Sequence, residues 1–222
     1  MADKAGHVVL LGDSIFDNGA YVRGGPDVVS QVRARLPHGW TASLLAVDGA
    51  VTSDVERQLR QLPVDATHLI VSVGGNDALG ASGVLAERAN LVGEAVERLA
   101  VTRDRFAAAY DRMLSSLLQR RVPAALCTIY DANYPEPQGR IIRAALTLFN
   151  DVITRAAFDR ALPLIDLRLI CNSPDDYANP IEPSVAGGDK IAAAIVKATF
   201  IPQPTAQSVV IASGCGAKRS RE

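Results

Sequence analysis

The stretch His7-Val8-Val9-Leu10-Leu11-Gly12-Asp13-Ser14 decides the fold. It is a short, continuous apolar run ending in a glycine, which reads as a strand buried on both faces. The next segment changes period. Val28, Val29, Val32 and Leu36 recur at helical spacing over residues 26–36, and Pro26 suits a first helical turn. The alternation then repeats. Strands are expected over 41–47, 67–73, 122–129 and 162–167. Helices are expected over 52–62, 82–121, 139–159 and 187–199. The second helix opens at Thr52 or Ser53 with Asp54 and Glu56 in its first turn. The 82–121 stretch is expected to break near Val101-Thr102-Arg103, and 130–138 and 172–183 read as loops.

Five strand–helix units imply a parallel sheet covered on both faces, an α/β, flavodoxin-like doubly wound architecture. One domain is expected over 6–200. Residues 201–222 read as a loose C-terminal tail, in which 209–212 is a candidate extra strand.

Composition narrows the function. The formal net charge of −1 argues against a polyanion-binding surface, so nucleic acid is not an expected partner. Cys127, Cys171 and Cys215 have no metal-like spacing and read as reduced thiols, with Cys127 in the core. No signal-peptide pattern opens the chain and no apolar run approaches a membrane span, so a cytoplasmic protein is expected. Oligomeric state is not legible.

Three short segments fall just beyond strand ends. They are Gly12-Asp13-Ser14, Asp48-Gly49-Ala50 and Gly74-Gly75-Asn76-Asp77. In an open parallel sheet the carboxyl ends of the strands form the ligand rim, so the three converge. Their residue types suit acyl transfer, in which negative charge grows on a carbonyl oxygen and preorganised donors must meet it. The Ser14 N–H, the unobstructed Gly49 N–H and the Asn76 side-chain amide are such donors.

These segments make the chain resemble the SGNH (GDSL-type) hydrolases over roughly residues 6–200. The resemblance implies a three-layer α/β/α fold and esterase, lipase or thioesterase activity on a small-molecule acyl ester, without metal or cofactor. It also implies that Ser14 is the nucleophile and that Gly49 and Asn76 complete the oxyanion hole with Ser14.

The chain departs from that family at its last motif. Where the family carries Asp-x-x-His before the final helix, this sequence reads Asn179-Pro180-Ile181-Glu182-Pro183-Ser184. His7, His38 and His68 all map to the opposite rim, seven or more residues from the motifs. A buried carboxylate with a raised pKa can serve as a general base, so a Ser14–Glu182 dyad is one reading, with Asn179 orienting the carboxylate. The other reading is a catalytically weak or inactive protein that keeps the fold and binds a ligand. Asp13 and Asp77 suit turn hydrogen bonds and helix N-terminal charge. Asp175 and Asp176 are candidates to position Glu182, Asp17 and Asn18 to frame the site, and Tyr130, Asn133 and Tyr134 to line a pocket.

Overall fold

The computed structural model describes residues 5–200. The expectations for 201–222, including Cys215 and the candidate strand at 209–212, lie outside the described residues. The elements run β1 (His7–Gly12), α1 (Val28–Arg35), β2 (Thr41–Leu44), α2 (Val55–Leu59), β3 (His68–Ser72), α3 (Gly75–Ala81), α4 (Val92–Leu118), β4 (Ala124–Cys127), α5 (Gln138–Asp159), β5 (Leu164–Ile165), α6 (Leu167–Ile170), β6 (Tyr177–Asn179), β7 (Glu182–Pro183) and α7 (Val185–Thr199). Five parallel strands form one sheet in the order β2-β1-β3-β4-β5. The order reverses at β1, so β1 and β3 diverge into connections on opposite faces and leave a crevice at their carboxyl ends.

Alternation along β1 divides the core. Val8 and Leu10 join the cluster under α1 and α7, with Val28, Val32, Ile191 and Ile195. Val9 and Leu11 join the cluster under α2, α4 and α5, with Leu59, Tyr110, Leu114 and Ile153. Helices on both faces of one parallel sheet give the expected three layers.

Gly12 sits at φ +125°, and a Cβ there would stand 1.7 Å from the Ser72 carbonyl oxygen. The glycine therefore lets β1 and β3 close up, in register Gly12 to Ser72, at the point where the chain turns into Asp13.

Several boundaries differ from expectation. The long helix does not break at Val101-Thr102-Arg103: α4 runs through it, and the Thr102 hydroxyl donates back to the Arg98 carbonyl at 3.0 Å. That bond satisfies the hydroxyl inside the helix, so β-branched residues there cause no break. The interruption lies earlier, between a 3-10 turn at Ser82–Ala86 and Leu91, and the helical segment begins at Gly75 rather than Ser82. Asp27, not Pro26, starts α1, accepting the Ser30 N–H at 2.8 Å. Thr52 and Ser53 open a 3-10 turn before α2. The fifth strand shortens to Leu164–Ile165 and passes into α6, and the loop 172–183 contains the antiparallel pair β6–β7. No helix among the described residues is long and apolar enough to cross a membrane.

Candidate active site

Ser14 lies in the turn that leaves β1. The N–H groups of Phe16 and Asp17 both donate to the Asp13 carbonyl at 3.1 Å, which fixes the turn. The Ser14 N–H meets no acceptor among the described residues and is free for a ligand. Behind it, the Gln58 side chain accepts from the Gly12 N–H and donates to the Gly12 carbonyl, both at 2.8 Å. Asn150 grips Ile129, just past β4, in the same two-bond fashion at 2.8 Å. These buried amides satisfy backbone groups that the sheet no longer pairs. Sequence reasoning passed over both, although each is an amide set among apolar residues on a core-facing helix.

The second and third loops are laced together. The Asn76 amide donates to the Ala50 carbonyl at 3.0 Å, and Asp77 accepts from the Thr52 N–H and hydroxyl, both at 2.9 Å. Gly49, at φ +78°, is exposed, and its N–H has no acceptor among the described residues. Asp48 accepts from the Tyr21 hydroxyl at 2.7 Å, and the Asp48 N–H donates to Asp17 at 2.9 Å, so Asp17 does frame this loop.

Glu182 rides on the β6–β7 pair. The Ser14 hydroxyl donates to Glu182 Oε1 at 3.0 Å, with the two residues 7% and 5% exposed. Glu182 Oε2 is buried without a partner among the described residues. Asn179 does not orient the carboxylate. Its Oδ1 instead accepts from the backbone N–H groups of Ile181 and Glu182, at 2.9 and 3.0 Å, and shapes the tight turn that presents Glu182. Asn18 has a larger part than its sequence position suggested. It is fully buried, accepts from the Val28 N–H at 2.9 Å and donates to the Pro183 carbonyl at 3.2 Å. Asp176 accepts from the Asn172 and Ser173 N–H groups and from the Lys190 ammonium, and its carbonyl accepts from the Ser184 N–H, which anchors the start of the hairpin.

Burial pushes the Glu182 carboxyl up to about 7; the Ser14 hydroxyl bond opposes the shift and the Asp48 charge adds to it. Asp13 moves further, to about 8, mainly through burial. The Ile15 N–H, donating to Asp13 Oδ1 at 3.2 Å, opposes that rise, while the Glu182 and Asp77 charges add to it.

Asp13, Ser14, Asn76, Tyr130 and Glu182 line one cavity of about 200 Å³. Its remaining wall is mostly apolar, with Leu79, Leu99, Ile142 and Leu146 among the contributors, and no lysine, arginine or histidine lines it. The side chain of Tyr130 turns to the hairpin, its hydroxyl donating to the Ile181 carbonyl at 2.7 Å. Tyr134 lines the cavity; Asn133 does not, and its N–H instead donates to the Pro180 carbonyl at 2.8 Å. Gly49 lies outside this lining, and Asp77 faces a second cavity of about 620 Å³. Ala81, Val84, Thr102 and Phe149 line both cavities.

The histidines stay at the far rim. His7 opens β1 and bonds Asp65 at 3.0 Å and Ser43 at 2.8 Å. His68 opens β3 against Trp40, and His38 is exposed in the turn before β2.

A doubly wound sheet with these three loops at its switch point defines an SGNH-type hydrolase fold. The chain belongs to the GDSL-like lipase/acylhydrolase family, whose profile matches residues 10–189. Among solved structures, it is similar to an extracellular lipase from Streptomyces rimosus, with 18% identity and a TM-score of 0.64 over 87% of this chain and 99% of that one. A phospholipase A1 from Streptomyces albidoflavus gives 18% identity and a TM-score of 0.62 over 88% and 98%. A GDSL-like lipase from Bacteroides thetaiotaomicron gives 17% and 0.57 over 86% of each chain. At these identities the likeness shows the fold. No curated protein sequence matches the chain.

Proposed function

We propose that the protein hydrolyses an ester or thioester with an apolar acyl group, using Ser14 as nucleophile and Glu182 as base. The observation that carries the reading is the 3.0 Å bond from the Ser14 hydroxyl to Glu182 Oε1 at the mouth of an apolar cavity. A serine hydroxyl needs an adjacent acceptor to attack at neutral pH. With its pKa near 7, a carboxylate is matched to that task, whereas an exposed one near 4.5 is not. Oγ bonds to the acyl carbon as its proton passes to Glu182 Oε1. The oxyanion is met by the Ser14 N–H, the Gly49 N–H and the Asn76 amide. Glu182 then returns the proton to the departing alkoxide or thiolate. Water, deprotonated by Glu182, attacks the acyl-serine; the acyl–Oγ bond breaks, the acid leaves and Glu182 returns the proton to Ser14 Oγ.

The test is hydrolysis of straight-chain activated esters by the wild type, Ser14→Ala and Glu182→Gln. Loss of at least about 10²-fold in kcat for each variant supports the reading. Turnover unchanged in Ser14→Ala overturns it. The rival is a ligand-binding protein on a retired hydrolase fold. It is favoured by one observation, the placement of all three histidines at the opposite rim, and it predicts ester binding without serine-dependent turnover.

A further inference from the structure

Asp13 is a buried carboxyl that the mechanism above does not use. It is 3% exposed and lines the same cavity as Ser14 and Glu182. Its Oδ1 accepts the Ile15 N–H. Its Oδ2 has no hydrogen-bond partner among the described residues and lies 3.9 Å from where a Cβ on Gly75 would stand. Oδ2 therefore points toward the loop that presents Asn76.

The charges around it are all of one sign. The Glu182 charge, on β7, and the Asp77 charge, on α3, both act on it, and the Asp48 charge acts on Glu182 in turn. From β4 and the loop beyond it come the Cys127 thiol and the Tyr130 hydroxyl, both pushed up chiefly by burial and further by Asp13 itself. No cationic side chain among the described residues lines the cavity. Two carboxyls flanking one serine in a low-dielectric pocket without a counter-ion cannot both ionise cheaply, so one proton is retained between them. The Ser14 hydroxyl donates to Glu182, which favours charge there. Asp13 and Glu182 each have one oxygen without a partner among the described residues, so the donors decide: Asp13 has a single, longer backbone donor at 3.2 Å, which favours the proton there.

Building on the ester-hydrolase reading, we infer that Asp13 is a neutral carboxylic acid whose Oδ2–H donates into the cavity beside the reacting acyl group, leaving Glu182 as the single negative charge at the site. A neutral acid adds a donor on the side of the Asn76 amide, where oxyanion charge grows. Once ionised, it repels that charge and also resists ionisation of Glu182. Asp13 thus limits turnover from the alkaline side, while Glu182 limits it from the acid side.

Asp13→Asn is the test, because it keeps the acceptor for Ile15 and replaces O–H with a neutral N–H donor. The first readout is the infrared difference between wild type and Asp13→Asn, which needs no turnover. The expected spectrum at about pH 6 carries the carbonyl stretch of a protonated carboxyl, lost on titration above about pH 8. A carboxylate band at about pH 6 overturns the inference. The second readout is the pH profile of kcat/KM. Wild type is expected to fall about tenfold or more between about pH 7.5 and 9.5, while Asp13→Asn loses this alkaline limb. A variant that lowers the whole profile yet keeps the alkaline limb marks a purely structural Asp13 and overturns the donor role. If no ester gives Ser14-dependent turnover, the hydrolase reading fails, and the infrared titration still decides the protonation of Asp13.

Discussion

The fully buried Asn18 amide donates to the Pro183 carbonyl at 3.2 Å, joining the turn after Ser14 to the strand that carries Glu182. The same side chain accepts from the Val28 N–H at the start of α1. One residue thus sets the distance between Ser14 and Glu182 from three segments at once. Asn18→Leu keeps the volume and leaves a buried carbonyl and a buried N–H without partners, at a cost of about 1–3 kcal/mol. Thermal denaturation should show the loss, and kcat should fall about tenfold or more at saturating ester because the Ser14–Glu182 contact loosens.

The acid limb of the rate profile follows from Glu182. A base acts when deprotonated, so kcat/KM should rise with pH through an inflection near 7, the value to which burial lifts this carboxyl, before the alkaline limb assigned to Asp13 sets in. Glu182→Gln should remove the limb along with most of the rate. A limb that survives in the Gln variant assigns the base to another group.

Asn76 should contribute to turnover more than to binding. Its amide already donates to the Ala50 carbonyl, so it enters the reaction preoriented rather than searching for its partner. Asn76→Ala is expected to lower kcat about 10²–10³-fold with KM changed little, the pattern of a donor used in the transition state. A rise in KM at constant kcat would count against its place in the oxyanion hole.

Gly12→Ala should disable the fold before it disables the chemistry. The added methyl meets the Ser72 carbonyl oxygen at 1.7 Å, and φ +125° is a region that L side chains rarely adopt. Relief requires β1 and β3 to separate at their carboxyl ends. A loss of about 3 kcal/mol or more is expected in urea unfolding, with little soluble native protein at 37 °C. Gly49→Ala makes a useful contrast. It also has φ > 0, but its Cβ would meet nothing within 4 Å, so the expected cost is about 1–2 kcal/mol.

Stability should decline as pH rises across neutrality. Both carboxyls have folded pKa values above their unfolded ones: Asp13 goes from 3.8 to about 8 and Glu182 from 4.5 to about 7. Between those limits the native state holds more protons than the unfolded chain, so stability falls from roughly pH 4 to pH 8 and then levels off. Asp13→Asn should flatten the decline and raise Tm at pH 8 by roughly 5–10 °C relative to wild type. A wild-type Tm that climbs from pH 5 to pH 8 would refute this.

The fold was legible because the strands are unbroken apolar runs and the helices keep a 3.6-residue period. Five parallel strands and the rim loops follow from that contrast alone. The boundaries that shifted depend on long-range partners. β5 ends early because Asp166 accepts the Arg168 N–H and opens α6. β6 and β7 exist because Asn179 folds its own turn and the Asp176 carbonyl accepts the Ser184 N–H. In the site, Ser14 and Glu182 could be paired from sequence because the family resemblance puts Glu182 at the histidine position and topology left no histidine near. Gln58, Asn150 and the protonation of Asp13 could not, because each depends on what lies across the sheet end or the cavity. Asn179 was singled out for the wrong bond: it shapes backbone, not carboxylate.

The β6–β7 hairpin holds position 182 without using its side chain. Its turn is held by Asn179 and its ends by Asn18 and the Asp176 carbonyl, and none of these bonds uses the Glu182 side chain. The residue at 182 is displayed by its scaffold without being part of it. A change of side chain there alters what the serine leans on and the part of the cavity wall that Glu182 supplies, while the bonds that hold the hairpin keep their partners. Histidine and glutamate are then alternative fittings on one mount, and the step between them is a question of proton affinity rather than of folding.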